Sequence, residues 1–192
     1  MILPITAYGS PVLREVGRDI TPEYEGLQEL ISNMWETMYN SNGVGLAAPQ
    51  VNKSIRLFVM DSIQILEGLK EEERKEYPGD EGYKGAFINA HIIAKGGDEW
   101  PYNEGCLSIP KIREDVLRQQ TVNLRFRDEN FKEHTMTFRG ITARVILHEY
   151  DHIDGKLFID YLKPLKKSLL KRKLNDISKG KISVDYKMSF YK

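Results

Sequence analysis

His148, Glu149, Tyr150, Asp151 and His152 read H-E-x-x-H. On a helix, histidines four residues apart lie on one face, where both imidazoles can grip one metal ion while the adjacent glutamate is free to act as a base. A catalytic metal takes at least a third protein ligand. The chain's one cysteine, Cys106, stands in the run Glu104-Gly105-Cys106-Leu107-Ser108, and a thiolate suits zinc or ferrous iron. Cys106 is therefore the natural third ligand, although a lone cysteine is more commonly a small buried hydrophobe. With no second cysteine, it has no internal disulfide partner.

A third stretch, Gly43-Val44-Gly45-Leu46-Ala47-Ala48-Pro49-Gln50, carries two glycines and two alanines. The bare backbone lets a ligand approach peptide N–H and C=O groups closely, or lets a turn pack tightly between helix and strand. The phosphate-loop pattern G-x-x-x-x-G-K-[ST] is absent from it.

These three stretches, in this order, resemble the peptide deformylase family, whose motifs are G-x-G-x-A-A-x-Q, E-G-C-L-S and H-E-x-D-H; every motif position matches. The likeness runs from Tyr8-Gly9-Ser10-Pro11-Val12-Leu13-Arg14 to Leu157-Phe158-Ile159-Asp160-Tyr161-Leu162 and covers most of residues 4 to 166. The resemblance implies hydrolysis of the formyl group on the N-terminal formylmethionine of newly made polypeptides. It implies one divalent metal held by Cys106, His148 and His152, with Fe(2+) first and Zn(2+), Ni(2+) or Co(2+) as alternatives. Glu149 would shuttle the proton, and the Leu107 N–H and Gln50 amide would stabilise the oxyanion. Val44 and Gly45 would pair with the extended substrate. Tyr102, Glu104, Gly105, Ile141 and Val145 would lie near the methionine pocket, Arg113 would touch substrate, and Arg118 would pair with Glu104.

Four features depart from the family's usual pattern. The acidic stretch 61–84 lengthens the gap between the first two motifs. Leu147 stands where relatives often carry Gln, Arg144 stands where an apolar pocket residue is expected, and the tail after about Ile177 lies beyond the motifs. A zinc endopeptidase using the same helix motif would need a downstream ligand; only Asp154 and Asp160 are near, and no histidine follows His152. A purely structural site would want a fourth protein ligand, whereas His91 and His134 read as ordinary strand residues.

The elements that must hold these residues follow from periodicity and punctuation. Residues 141–153 contain no Gly or Pro and are apolar nearly all round, which predicts a buried helix between Gly140 and Gly155. Thr21-Pro22-Glu23 predicts a capped helix start, with Leu27, Leu30, Ile31, Met34 and Met38 as an amphipathic face reaching Asn40. Residues 55–60 and 86–95 read as strands, the second ending at Gly96-Gly97, and 122–127 with 131–138 as a hairpin about Asp128-Glu129-Asn130. Residues 1–20 read as an extended lead-in with a turn at Tyr8–Pro11, and 61–84 as a solvated excursion with one or two exposed helical turns and no chemistry. Pro164 opens a last helix, 165–177. The result is an α+β fold with mixed or antiparallel sheets packed around the H-E-x-x-H helix, and an N-terminal and a C-terminal helix.

Length and composition bound what remains. At 192 residues, 41% hydrophobic and 29% charged, the chain is expected to form one globular domain, 1–192. Lys plus Arg and Asp plus Glu each number 28, so no overall charge draws it to nucleic acid or an anionic membrane. No run suits a bilayer span, and Met1 to Pro11 lack the character of a signal peptide, so the cytoplasm is the expected compartment. Residues 163–192 nonetheless hold ten Lys or Arg against two Asp. Such a run is usually a solvated face; its sharper reading is contact with the ribosome through RNA.

Overall fold

The computed structural model describes residues 1–191; Lys192, the last of the basic run, lies outside them. Strands β1 (Ile5–Thr6), β2 (Gly45–Ala47), β3 (Leu57–Asp61), β4 (Lys84–Cys106), β5 (Ile109–Arg127), β6 (Glu133–Arg139) and β7 (Met188–Ser189) alternate with helices α1 (Leu27–Asn40), α2 (Ile63–Gly68), α3 (Glu71–Arg74), α4 (Gly140–Ile153) and α5 (Pro164–Ser178). Strands β2-β3-β4-β5-β6 form one antiparallel sheet in that order, and β1 pairs with β7 in parallel. The fold is α+β.

The α4 helix lies against this sheet because both elements are apolar where they meet. Val122, Leu124 and Phe126 alternate with polar residues along β5, and with Phe87 and Phe138 they share a core with Ala143, Ile146 and Leu147. Burying side chains of this size contributes about 1.5–3 kcal/mol each, so the helix is fixed against the sheet. A second core gathers Leu27, Ile31, Met34 and Met38 of α1 against Leu57 and Val59 of β3. A third seats Leu170, Leu174 and Ile177 of α5 on Ile109, Ile112 and Val116 of β5.

Local conformation differs from the sequence reading in four places. Helix α1 begins at Leu27, not Pro22: Gly26 has φ +72, which breaks helical geometry, and Thr21–Tyr24 closes a turn with Tyr24 N–H donating to Thr21 O at 3.0 Å. Strand β4 passes through Gly96-Gly97, where a register shift between Gly96 and Glu99 and φ +76 at Gly97 mark a bulge in a continuing strand. The lead-in is not wholly extended, since Pro11–Arg14 is a 3-10 turn. The acidic excursion carries its expected helical turns as α2 and α3 but is not wholly solvated: two of its acids, Asp61 and Asp80, are buried. Asp80 accepts hydrogen bonds from Thr142 N–H at 2.9 Å and Thr142 Oγ1 at 2.5 Å, so it caps α4. Gly140 beneath it has φ +57, and a Cβ there would lie 2.8 Å from Asp80 Oδ2. His91 and His134 sit on β4 and β6 beside Asp19 and Asp128.

Candidate active site

Three elements converge at one end of α4. His148, Glu149 and His152 project from the helix, Cys106 ends β4 where the chain turns into β5, and Gln50 sits on the 3-10 turn Ala48–Val51 after β2. The ligand atoms of Cys106, His148 and His152 all lie within 4.8 Å of one another. Cys106 Sγ is 3.3 Å from His152 Nε2. Two ligands on one tetrahedral zinc-sized ion, at about 2.3 Å for S and about 2.05 Å for N, stand about 3.6 Å apart. The donor set therefore fits a single metal ion in both chemistry and spacing.

Glu149 is buried at 4% exposure, and its Oε2 has no hydrogen-bond partner. Burial pushes its carboxyl up to about 7. Gly45 leaves room for it: a Cβ at that position would overlap the Glu149 carboxyl group. Burial lowers the His152 pKa well below the usual imidazole range, which favours the neutral form that ligates a metal. Gln50 is oriented by its own turn: Ala47 N–H donates to Oε1 at 2.9 Å, which leaves Nε2 facing Cys106 Sγ at 3.5 Å and Ser108 Oγ at 3.3 Å.

Behind Cys106, His148 and His152 lies a buried ionic network. Glu104 takes a two-pronged pair from Arg118 at 2.7 and 3.0 Å, a third bond from Arg144 Nη1 at 3.0 Å, and stands 2.9 Å from His148 Nδ1. Arg118 also pairs with Asp151 at 2.6 Å. Burial alone would raise the Glu104 pKa, but the bonds from His148 and Arg118 hold it far below the usual carboxylate range. A carboxylate on the non-ligating nitrogen fixes ring orientation and tautomer in metal-binding histidines.

A cavity of about 680 Å³ opens over this centre. Of the residues singled out in the sequence, Val44, Gly45, Gln50, Tyr102, Glu104 and Gly105 line it, as do Cys106, Leu107, Arg113, Val145, His148 and Glu149. Its size suits a short peptide. His152 lies behind Cys106 at 1% exposure. Ile141, expected at the pocket, is absent from the lining: it belongs to the core between α4 and the sheet at 1% exposure, where an aliphatic side chain on the first turn buries its surface. Arg144, flagged as a departure from an apolar pocket, lines the cavity and also closes the ion network through Glu104. Its place was readable from spacing, since 144, 148 and 151 share one helical face with both ends charged. The contribution of the tail, Ser183 to Tyr186, to the lining had no signal in the motifs.

Comparison with known proteins agrees with this geometry. The family model for polypeptide deformylase matches residues 2–168. A peptide deformylase of Christiangramia forsetii is 54% identical over 192 residues, 99% of this chain and 96% of that one. One of Flavobacterium johnsoniae is 53% identical over 99% of this chain and 96% of the relative. The crystal structure of a peptide deformylase from Legionella pneumophila superposes with a TM-score of 0.78 at 34% identity, covering 94% of this chain and 98% of that one. With its three motifs gathered at one site, the chain belongs to the polypeptide deformylase family.

Proposed function

We propose that Cys106, His148 and His152 hold ferrous iron and that Glu149 moves the protons of the reaction. The reaction itself is the family's: hydrolytic removal of the formyl group from the N-terminus of nascent polypeptides, with release of formate. When bound, the cation supplies Lewis acidity and brings water ionisation near neutral pH. The observation that carries the reading is the buried, half-unpartnered Glu149 carboxylate beside three convergent ligand atoms.

In this reading Glu149 accepts a proton from the attacking water and returns it to the amine as the formyl C–N bond breaks. Gln50 Nε2 and the Leu107 N–H face the oxygen that gains charge. Strand β2 has a single neighbour, β3, among the described residues, so its outer edge at Val44–Gly45 can pair with an extended peptide. Tyr102, Glu104, Gly105 and Val145 border the methionine side chain, and Arg113, oriented by Asn103 at 2.9 Å, lies along the substrate's path. Residues 1–192 act as one catalytic unit.

The C-terminal helix supports a ribosome contact. Its Lys166, Lys171, Arg172 and Lys173 are exposed, and so are Leu165 at 75% and Leu169 at 70%, one turn apart. Cations flanking an apolar pair suit an RNA and protein surface. No helix among the described residues is long and apolar enough to cross a membrane, and a substrate emerging from ribosomes points to the cytoplasm.

Formate release from formyl-Met-Ala-Ser by anaerobically purified protein, paired with metal analysis, tests the reading. Turnover with iron bound is expected. A fully metal-loaded protein that releases no formate would overturn the site roles, and a zinc-loaded form as fast as the iron form would remove the preference for iron.

A further inference from the structure

We propose that the carboxy-terminal tail is a built wall of the substrate cavity, with Tyr186 as a positioning residue for the Leu107 peptide. The inference rests on the deformylase reading above and extends it to residues beyond the 2–168 span of the family model.

The chain reverses after α5. Gly180 takes φ +70, and Lys181 N–H donates to Asp176 O at 2.8 Å. The tail then runs back across the molecule and is pinned at its far end as β7, where Ile5 N–H donates to Lys187 O at 2.9 Å and Ala7 N–H to Ser189 O at 2.8 Å. Ile182, Met188 and Phe190 pack against the α5 core. The span fixed between these anchors, Ser183 to Tyr186, lines the cavity that also holds Gln50, Cys106 and Glu149. A segment tied down at both ends by backbone pairing and apolar packing is a wall and not a loose terminus.

Within it, the Tyr186 hydroxyl donates to the Leu107 carbonyl at 2.8 Å, and its half-buried ring packs beside Leu107 against the α1 core. Leu107 is held on its other sides too. Its Cδ1 lies 2.9 Å from where a Cβ on Gly43 would stand, and the next carbonyl, Ser108 O, accepts Tyr8 N–H at 2.9 Å. The Leu107 carbonyl lies one residue's φ and ψ from its N–H, so anchoring the carbonyl and packing the side chain restrain the torsions through which that N–H could swing away from the reacting centre. Donors of this kind work because they are already aimed when charge develops. Ser183 and Asp185 are exposed at the cavity, where they border the part of a peptide that follows methionine.

Two variants of the metal-loaded protein test this on formyl-methionine and formyl-Met-Ala-Ser. In Tyr186→Phe the ring stays and the hydrogen bond goes; kcat is expected to fall about tenfold on both substrates while KM and bound metal stay at wild-type values. Ser183→Trp fills the mouth, and is expected to lower kcat/KM for the tripeptide about tenfold more than for formyl-methionine. Wild-type kcat in Tyr186→Phe, metal content that falls together with kcat, or equal penalties on the two substrates in Ser183→Trp would each overturn the proposal. Failure of the underlying reading shows separately, as no formate from metal-loaded wild type, and takes the proposal with it.

Discussion

Glu149 and Cys106 are distinguished by what their removal leaves behind. Glu149→Ala deletes a carboxyl group whose Oε2 has no hydrogen-bond partner and which is not among the three candidate ligands, so bound metal is expected to stay near one per chain while turnover falls about 10²- to 10⁴-fold. Cys106→Ala removes one of three ligand atoms, and metal is expected to leave on dialysis against a weak chelator. Metal analysis beside the formate assay separates the two; near-full activity in Glu149→Ala would end its role as proton carrier. Glu104 is a third case. It compensates two buried guanidinium groups, Arg118 at 3% and Arg144 at 1% exposure, and holds His148 Nδ1. Glu104→Gln keeps the shape but leaves those charges under-compensated, at about 3–5 kcal/mol, and is expected to weaken metal affinity about 10- to 100-fold. Urea unfolding and metal titration of the same variant check both effects.

At the scale of elements, α4 depends on a residue that sequence reasoning placed in solvent. Asp80 caps the helix at Thr142, so Asp80→Ala is expected to cost about 1–2 kcal/mol, or a fall of about 2–8 °C in Tm for a chain of this length. Helix α4 itself was legible because an apolar run without Gly or Pro has few other solutions, and the gathering of Cys106, His148 and His152 was legible because residue chemistry and motif spacing both pointed to it. The Asp80 cap was not, since a carboxylate in a charged stretch gives no local sign of a partner 62 residues on. The start of α1 failed for a related reason: Thr-Pro-Glu is a good opening for a turn as well as a helix, and Gly26 decided between them. The N-terminal 3-10 turn and the Phe158–Tyr161 turn are joined by Arg14 and Asp160, paired at 2.5 Å. Burial would raise the Asp160 pKa, but Arg14 and the Leu157 N–H outweigh it and lower it. A depressed carboxylate stabilises the fold above its unfolded pKa, and that share is lost as pH falls through the folded value. Arg14→Ala should therefore be less stable than wild type at pH 7, with the gap closing as pH falls below the ordinary aspartate value of 3.8, as read by urea midpoints across that range.

Across the whole molecule the formal charge is zero, yet its distribution is uneven, and that unevenness is where ribosome contact is tested. Lys75 pairs with Glu72 in the acidic excursion, and Lys166 of α5 pairs with Glu114 of β5 at 3.0 Å. Lys171, Arg172 and Lys173 stand on the turns of α5 farther along, exposed, while only Leu170, Leu174 and Ile177 of that helix are buried. Reversing the three cations to Glu leaves the buried face intact, so the fold and the turnover of a short peptide should hold. Binding to ribosomes should fall, and the slope of log affinity against log salt should flatten by about 0.7 to 0.9 for each lost phosphate contact. Co-sedimentation at several salt concentrations reads both quantities at once. Wild-type affinity and slope in the charge-reversed protein would exclude these residues as an RNA contact.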